Sequence, residues 1–288
     1  MTGQVNDSSL IFERASLVDY RWNHQLIRLE QQKLTRLTIK EIRMRLQDET
    51  SLESEFVCSL DDDPRKGVQA TLAAFKRRIE QELVRRKSFE HRFMYEKQFW
   101  QSGIQYVAGI DEVGRGPLAG PVVTAAVIID DHFDLMDVTD SKQLSAHQRE
   151  QLYLRIIHEA VEVNIAVKDN HFIDRENIYH ATQLAMIESV NGLQHHPGQL
   201  IVDAVPLQID IPQTTLIKGD QKSISVAAAS IVAKEYRDHL MAVYDQLYPG
   251  YDFAHNMGYG TQKHIAGLRT QGITPIHRLS FSPVKKYQ

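Results

Sequence analysis

The sequence predicts an α/β fold: a mixed five-stranded sheet flanked by helices, with a helical N-terminal extension and a helical C-terminal segment. Three observations predict it. From Gln105 onward, short β-branched runs alternate with helical stretches, as a sheet with interleaved helices requires. The first two runs, 106–111 and 122–130, are joined by a connection short enough for an antiparallel pair. Before residue 100 every periodic signal has helical spacing.

In chain order, residues 1–36 show helical spacing at Leu26, Leu29 and Leu34 and no recognisable chemistry. Thr38 and Glu41 have the spacing of a capping box, and Ile39, Ile42 and Leu46 follow at helical intervals, which predicts a helix to about Gln47. After the break at Asp61 to Pro64, Val68, Leu72, Phe75, Ile79 and Leu83 recur at spacings of three and four, an amphipathic helix with basic residues on its other faces. Residues 1–100 therefore read as a helical N-terminal region, and 101–288 as the main domain. Within that domain Ser145 and Gln148 form a second capping-box pattern, 163–167 is a third strand, and Asp174 precedes a helix that ends near Asn191-Gly192. Leu200-Ile201-Val202 is a fourth strand and 214–217 a fifth. Ser223 opens a long helix that Pro249-Gly250 stops near Tyr248.

Composition bounds the function. The 288 residues are 42% hydrophobic and 24% charged, as in soluble globular proteins. No run reaches the roughly 18 apolar residues of a membrane span. The N-terminus lacks the basic start and apolar stretch of a signal peptide, so a cytoplasmic location is expected. A monomer is expected, and the single Cys58 has no partner for an internal disulfide. The net charge of -4 disfavours loose binding of nucleic acid, but bases cluster at Lys76-Arg77-Arg78, Arg85-Arg86-Lys87 and Lys285-Lys286.

Chemistry concentrates at strand ends. Asp111 and Glu112 close a buried strand, and ionised carboxylates there must be paired or must hold a cation. Neighbouring strand residues point to opposite faces, so both act together only if the chain bends after Asp111, which Gly114 permits. A solvated turn, or a pair with Arg115, is the alternative. Asp203 follows Leu200-Ile201-Val202, and Asp220 follows the fifth strand. Singly, Asp203 reads as a turn cap and Asp220 as a cap for the helix near Ser223. If the ends share one sheet edge, the four carboxylates form a pocket that repulsion makes unstable without cations. Oxygen-only ligands select Mg²⁺ or Mn²⁺ over zinc.

The stretches DEVGRGPLAGPV, IVDA and KGDQKSISVAAASIVAK together resemble bacterial ribonuclease HII, of the RNase H-like superfamily, over about residues 105–284. The resemblance implies an RNase H-like fold. It also implies an endoribonuclease that cuts the RNA strand of RNA/DNA hybrids and cuts 5′ of ribonucleotides embedded in duplex DNA, leaving 5′-phosphate and 3′-hydroxyl ends. By the same resemblance Asp111, Glu112, Asp203 and Asp220 hold two catalytic Mg²⁺ or Mn²⁺ ions. Gly114, Arg115 and Gly116 approach the ribose 2′-hydroxyl, and Tyr259 stacks on the following deoxyribose. Ser141, Lys142, His277 and Arg278 match positions suited to phosphate contact or to support near the cleft. Met257 stands where many relatives have lysine, which removes one phosphate contact. The alanine-rich run 226–233 has small side chains that let its helix approach the sheet.

The same residues argue against other functions. The fold also hosts ribonuclease HIII, transposases and junction resolvases, and GRGPLAG in place of a GKG loop favours HII. A phosphate-binding NTPase would need a Lys-Ser/Thr after the glycine turn, which is missing. A non-catalytic hybrid-binding protein would not need all four acids.

Overall fold

A computed structural model describes residues 37–288, so the spacing at Leu26, Leu29 and Leu34 lies outside the described residues. The chain divides into two compact units, Met1–Arg86 and Lys87–Gln288. The first contains α1 (Ile39–Asp48), α2 (Glu55–Ser59) and most of α3 (Lys66–Arg92). The expected capping box starts α1: Thr38 Oγ1 accepts the Glu41 amide at 3.3 Å, and Glu41 Oε2 accepts the Thr38 amide at 2.7 Å. Val68, Leu72, Phe75 and Ile79 on α3 close a small core with Ile42, Leu46, Phe56, Val57 and Leu60. The stripe stops there, because Leu83 is exposed although the helix continues to Arg92. Part of the basic run serves this unit: Lys76 pairs with Asp61 at 2.5 Å, and Arg78 donates to the Leu46 carbonyl at 2.8 Å.

The second unit begins with the end of α3 and α4 (Met94–Gln101). Its sheet comprises β1 (Val107–Val113) and β2 (Val122–Ile128), then, after α5 (Ala146–Glu159), β3 (Glu162–Lys168). Helices α6 (Asn170–Glu176) and α7 (Ile178–Asn191) lead to β4 (Gln199–Asp203) and β5 (Gln213–Leu216). The chain closes with α8 (Ile224–Leu247), α9 (Phe253–Asn256) and α10 (Gln262–Gln271). The strand order is β3-β2-β1-β4-β5. The β1–β2 and β2–β3 pairs are antiparallel and the β1–β4 and β4–β5 pairs parallel, so the sheet is mixed as predicted.

Strand periodicity separates two cores. Val123, Ala125 and Val127 of β2 pack with Ala228, Ile231 and Val232 of α8 and with Leu152 and Ile156 of α5. Ala126 and Ile128 face the other way, toward Met186 and Val190 of α7. The small residues of α8 do what the alanine run predicts. At Gly109 of β1 an added Cβ would lie 2.2 Å from the Ser225 backbone carbon, so the start of α8 lies directly on β1.

Two elements differ from the sequence reading. The residue before α7 is Asn177, not Asp174: at φ +64° its side-chain oxygen accepts the Tyr179 and His180 amides at 3.0 and 3.1 Å. Asp174 lies inside α6, whose cap is Asp169, and accepts the Leu279 and Ser280 amides at 2.8 Å each. Strand β1 runs on to Val113, because β2 supplies partners through the Val113–Val123 pair.

Candidate active site

The sheet brings the four predicted acids to one edge. Asp111 and Glu112 lie near the C-terminal end of β1, Asp203 ends the parallel neighbour β4, and Asp220 sits in the 3₁₀ turn Gly219–Gln221 before α8. No bend separates Asp111 from Glu112, contrary to the expectation. Instead, the pairing of β1 with β4 stops at Ile110 and Val202, leaving that side of β1 open, and both acids feel the charge of Asp203. Asp203 does cap a turn, since its Oδ1 accepts the Gly219 amide at 2.6 Å. Asp220 does not cap α8. Ser223 does, accepting the Val226 amide at 3.3 Å.

Burial and the charge of neighbouring acids raise Asp111, Glu112 and Asp220. Asp111 is 6% exposed, and burial, then Glu112 and Asp203, push its pKa well above the ordinary 3.8. Burial also raises Glu112, against the pull of Arg115, whose Nη1 lies 3.3 Å from Glu112 Oε1. Asp220 is raised by burial, then by Asp140 and Asp203. The second oxygen, Glu112 Oε2, is buried without a hydrogen-bond partner. A divalent cation with oxygen ligands fits this set, because it would neutralise the repulsion and occupy the orphaned lone pairs.

Around the acids, Lys142 is exposed and its charge pulls Glu112 and Asp220 downward. Ser141 is buried, its hydroxyl 2.9 Å from that of Ser230, which in turn hydrogen-bonds Asp111. Ser141 therefore supports Asp111 from behind rather than opening to the cleft.

The glycine loop is fixed by two buried arginines. Arg278, 0% exposed, donates to the carbonyls of Gly114 at 2.6 Å, Arg115 at 3.0 Å and Gly120 at 3.0 Å. Arg237 on α8 donates to the carbonyls of Pro121, Met257 and Ala119 at 2.9, 2.9 and 3.2 Å. Burial lowers Arg278 to about 9 and Arg237 to about 10, so both remain cations at neutral pH. Gly114 is required here: φ is +93°, and a Cβ would lie 2.3 Å from Arg237 Nε.

Tyr259 overhangs this loop. Tyr259 is 49% exposed, and a Cβ on Gly116 would lie 3.2 Å from its Cε1. His277, 1% exposed, fixes the backbone beneath it. The Thr274 amide donates to His277 Nδ1 at 2.9 Å, so the proton of His277 is on Nε2. That Nε2–H meets His264 Nε2 at 2.9 Å, and His264 Nδ1–H donates to the Tyr259 carbonyl at 2.9 Å. Burial, then His264, hold His277 at about 4, so the chain is neutral. His277 and Arg278 thus take the support role of the two expected, and neither side chain is open to phosphate. Met257 adds a carbonyl for Arg237, and its side chain packs near Met241.

Two residues of the site escaped the sequence reading. Asp140, 7% exposed, accepts the Lys142 amide at 3.0 Å and Gln221 Nε2 at 3.3 Å. Burial raises its carboxyl, but these bonds outweigh it and hold the pKa below the ordinary value. Its signal was the Asp-x-Lys spacing ahead of Gln143, masked by the acidic run 130–140. The signal for Arg237 was the helical stripe Val226, Ala229, Ala233, Arg237, a buried face continued by a charge.

Family models match in two places: that for Ribonuclease HII over residues 108–284, and that for the Ribonuclease HII N-terminal domain over residues 38–100. A Ribonuclease HII of Limosilactobacillus reuteri (strain DSM 20016) is 64% identical over 250 residues, covering 87% of this chain and 98% of the relative. One from Pediococcus pentosaceus is 54% identical over 250 residues, with the same coverage. The crystal structure of ribonuclease H2 from Pyrococcus horikoshii OT3 superposes with a TM-score of 0.57 at 26% identity, covering 64% of this chain and 97% of that one. With the fold, the motif order and nearly the full length of these relatives in agreement, the chain belongs to the ribonuclease HII family and is a nuclease, a hydrolase of the ribonuclease H type.

Proposed function

We propose that this chain hydrolyses the RNA strand of RNA/DNA hybrids and cuts on the 5′ side of ribonucleotides embedded in duplex DNA. The products are 5′-phosphate and 3′-hydroxyl ends. The observation that carries this reading is the convergence of Asp111, Glu112, Asp203 and Asp220 beside a glycine loop overhung by Tyr259. Two Mg²⁺ or Mn²⁺ ions on the four acids would supply an activated water and stabilise the leaving 3′ oxygen.

The protein's own residues set the geometry of the reaction. The Gly219 amide holds Asp203 Oδ1 against the turn that carries Asp220. Lys142, exposed beside Glu112 and Asp220, suits a phosphate oxygen of the cut strand. Gly116 is exposed at the loop apex while Arg278 and Arg237 hold the loop from below, which suits close backbone approach to a 2′-hydroxyl. The open ring of Tyr259 suits packing against the next deoxyribose. In this reading the chain works as a cytoplasmic monomer, 101–288 is the catalytic domain, and residues 1–100 contribute affinity.

End-labelled duplexes carrying no ribonucleotide, one, or a long RNA run test this directly. With Mg²⁺ or Mn²⁺, cuts are expected 5′ of the single ribonucleotide and within the RNA run, and chelator should abolish both. Cleavage of the all-DNA duplex, or cleavage that survives chelation, would contradict the reading.

A further inference from the structure

The start of α8 rests on a carboxylate that the reaction does not use. Glu96 on α4 is 0% exposed. Its Oε1 accepts the Ser223 hydroxyl at 2.6 Å, the Ser225 amide at 2.9 Å and the Ser225 hydroxyl at 2.7 Å. Its Oε2 is buried without a hydrogen-bond partner, within reach of the charge of Arg92. A negative charge at the N-terminus of a 24-residue helix interacts favourably with the helix dipole and satisfies an amide the helix leaves unpaired.

From that anchor a short covalent and hydrogen-bonded path leads to the acids. Ser223, held by Glu96, donates its own amide to the Gly219 carbonyl at 2.9 Å, closing the turn that carries Asp220. The Gly219 amide in turn binds Asp203 Oδ1 at 2.6 Å. Gly219 is packed so closely that an added Cβ would lie 3.1 Å from Val226 and 3.3 Å from Asp203 Oδ1. On the other side, Ser225 abuts Gly109, two residues before Asp111. The serine pair bound by Glu96 therefore lies between the two strands and the turn that present Asp111, Asp203 and Asp220.

We propose that Glu96 is a positioning residue of the metal site: it fixes the start of α8 and, through Ser223, the orientation of Asp220 toward Asp203. This rests on the reading of the four acids as metal ligands. Outer partners of metal ligands commonly change metal affinity by roughly 10- to 100-fold when removed. Glu96→Gln keeps the shape and an acceptor but loses the charge.

The test is Mn²⁺ titration of the full chain by calorimetry, paired with the Mn²⁺ dependence of cleavage and with Tm in chelator. Asp220→Asn serves as the control. Glu96→Gln is expected to weaken Mn²⁺ binding by roughly tenfold, with kcat at saturating Mn²⁺ close to wild type. A purely structural role predicts a lower Tm with unchanged Mn²⁺ affinity, and that result overturns the proposal when Asp220→Asn still weakens binding. If Asp220→Asn leaves Mn²⁺ binding unchanged, the metal-ligand reading itself falls. Should Glu96→Gln not fold, Ser223→Ala carries the test: it removes the one hydroxyl that links Glu96 to the turn carrying Asp220 while leaving the carboxylate and both Ser225 bonds, and unchanged Mn²⁺ affinity there overturns the proposal.

Discussion

Asp111 is a carboxylate kept where its charge is least stable, and that cost has a measurable consequence. Its folded pKa lies above 3.8, so once pH passes that value the folded chain holds more protons than the unfolded one. The stability it contributes is therefore complete below 3.8 and is lost as pH rises through the raised pKa. Asp111→Asn removes this dependence. In chelator the variant should melt above wild type near neutral pH, and the difference should shrink toward zero as pH falls below 3.8. A variant that melts below wild type at neutral pH would contradict this. In saturating Mn²⁺ the same variant, like Asp203→Asn, should lose cleavage by more than about a hundredfold, since a ligand matters more than its outer partners. Activity within a few-fold of wild type would refute the assignment.

At the level of elements, the glycine loop is held by groups far from it in sequence. Arg278 satisfies two buried carbonyls and one partly buried one, so Arg278→Met should cost about 2–4 kcal/mol by denaturant titration, with kcat/KM reduced as the loop loosens. A change under about 1 kcal/mol would show those carbonyls find water instead. The neighbouring His277 is depressed to about 4 from 6.5, so its contribution to stability is present above 6.5 and is lost as pH falls toward 4. Replacing His277 with Phe should flatten the melting profile across that window, and an unchanged profile would contradict the neutral chain ending on Tyr259. These elements also mark what the sequence discloses. Apolar periodicity located all five strands and the long helix, and local capping residues such as Thr38, Ser145 and Ser223 were readable because their partners are three residues away. Long-range partners leave no such spacing. Arg278 and Arg237 are surface residues by type, and only the fold shows them buried against loop carbonyls. The extent of β1 past Asp111 was hidden for the same reason, since its partners lie on β2.

For the whole molecule, the division at Arg86 and Lys87 bears on any truncation. Phe89 and Phe93 belong to the same core as β2 and α8, and Glu96 holds the start of α8. Removing residues 1–86 should leave a folded, active nuclease, whereas removing 1–100 should lower Tm sharply, with both followed by circular dichroism. Equal melting of the two truncations would contradict this partition. If the bases near Lys76 meet phosphates, the shorter truncation should also bind hybrid with a shallower salt dependence. In the function proposed above, the intact molecule reads a junction between RNA and DNA, with the glycine loop on the ribose and Tyr259 on the sugar that follows. This reading is tested most directly by kcat/KM for wild type and Tyr259→Ala on a duplex with one embedded ribonucleotide and on a continuous RNA/DNA hybrid. A larger loss is expected on the single ribonucleotide, where a deoxyribose follows the cut site, with Mn²⁺ affinity unchanged. Equal losses on both substrates would contradict it.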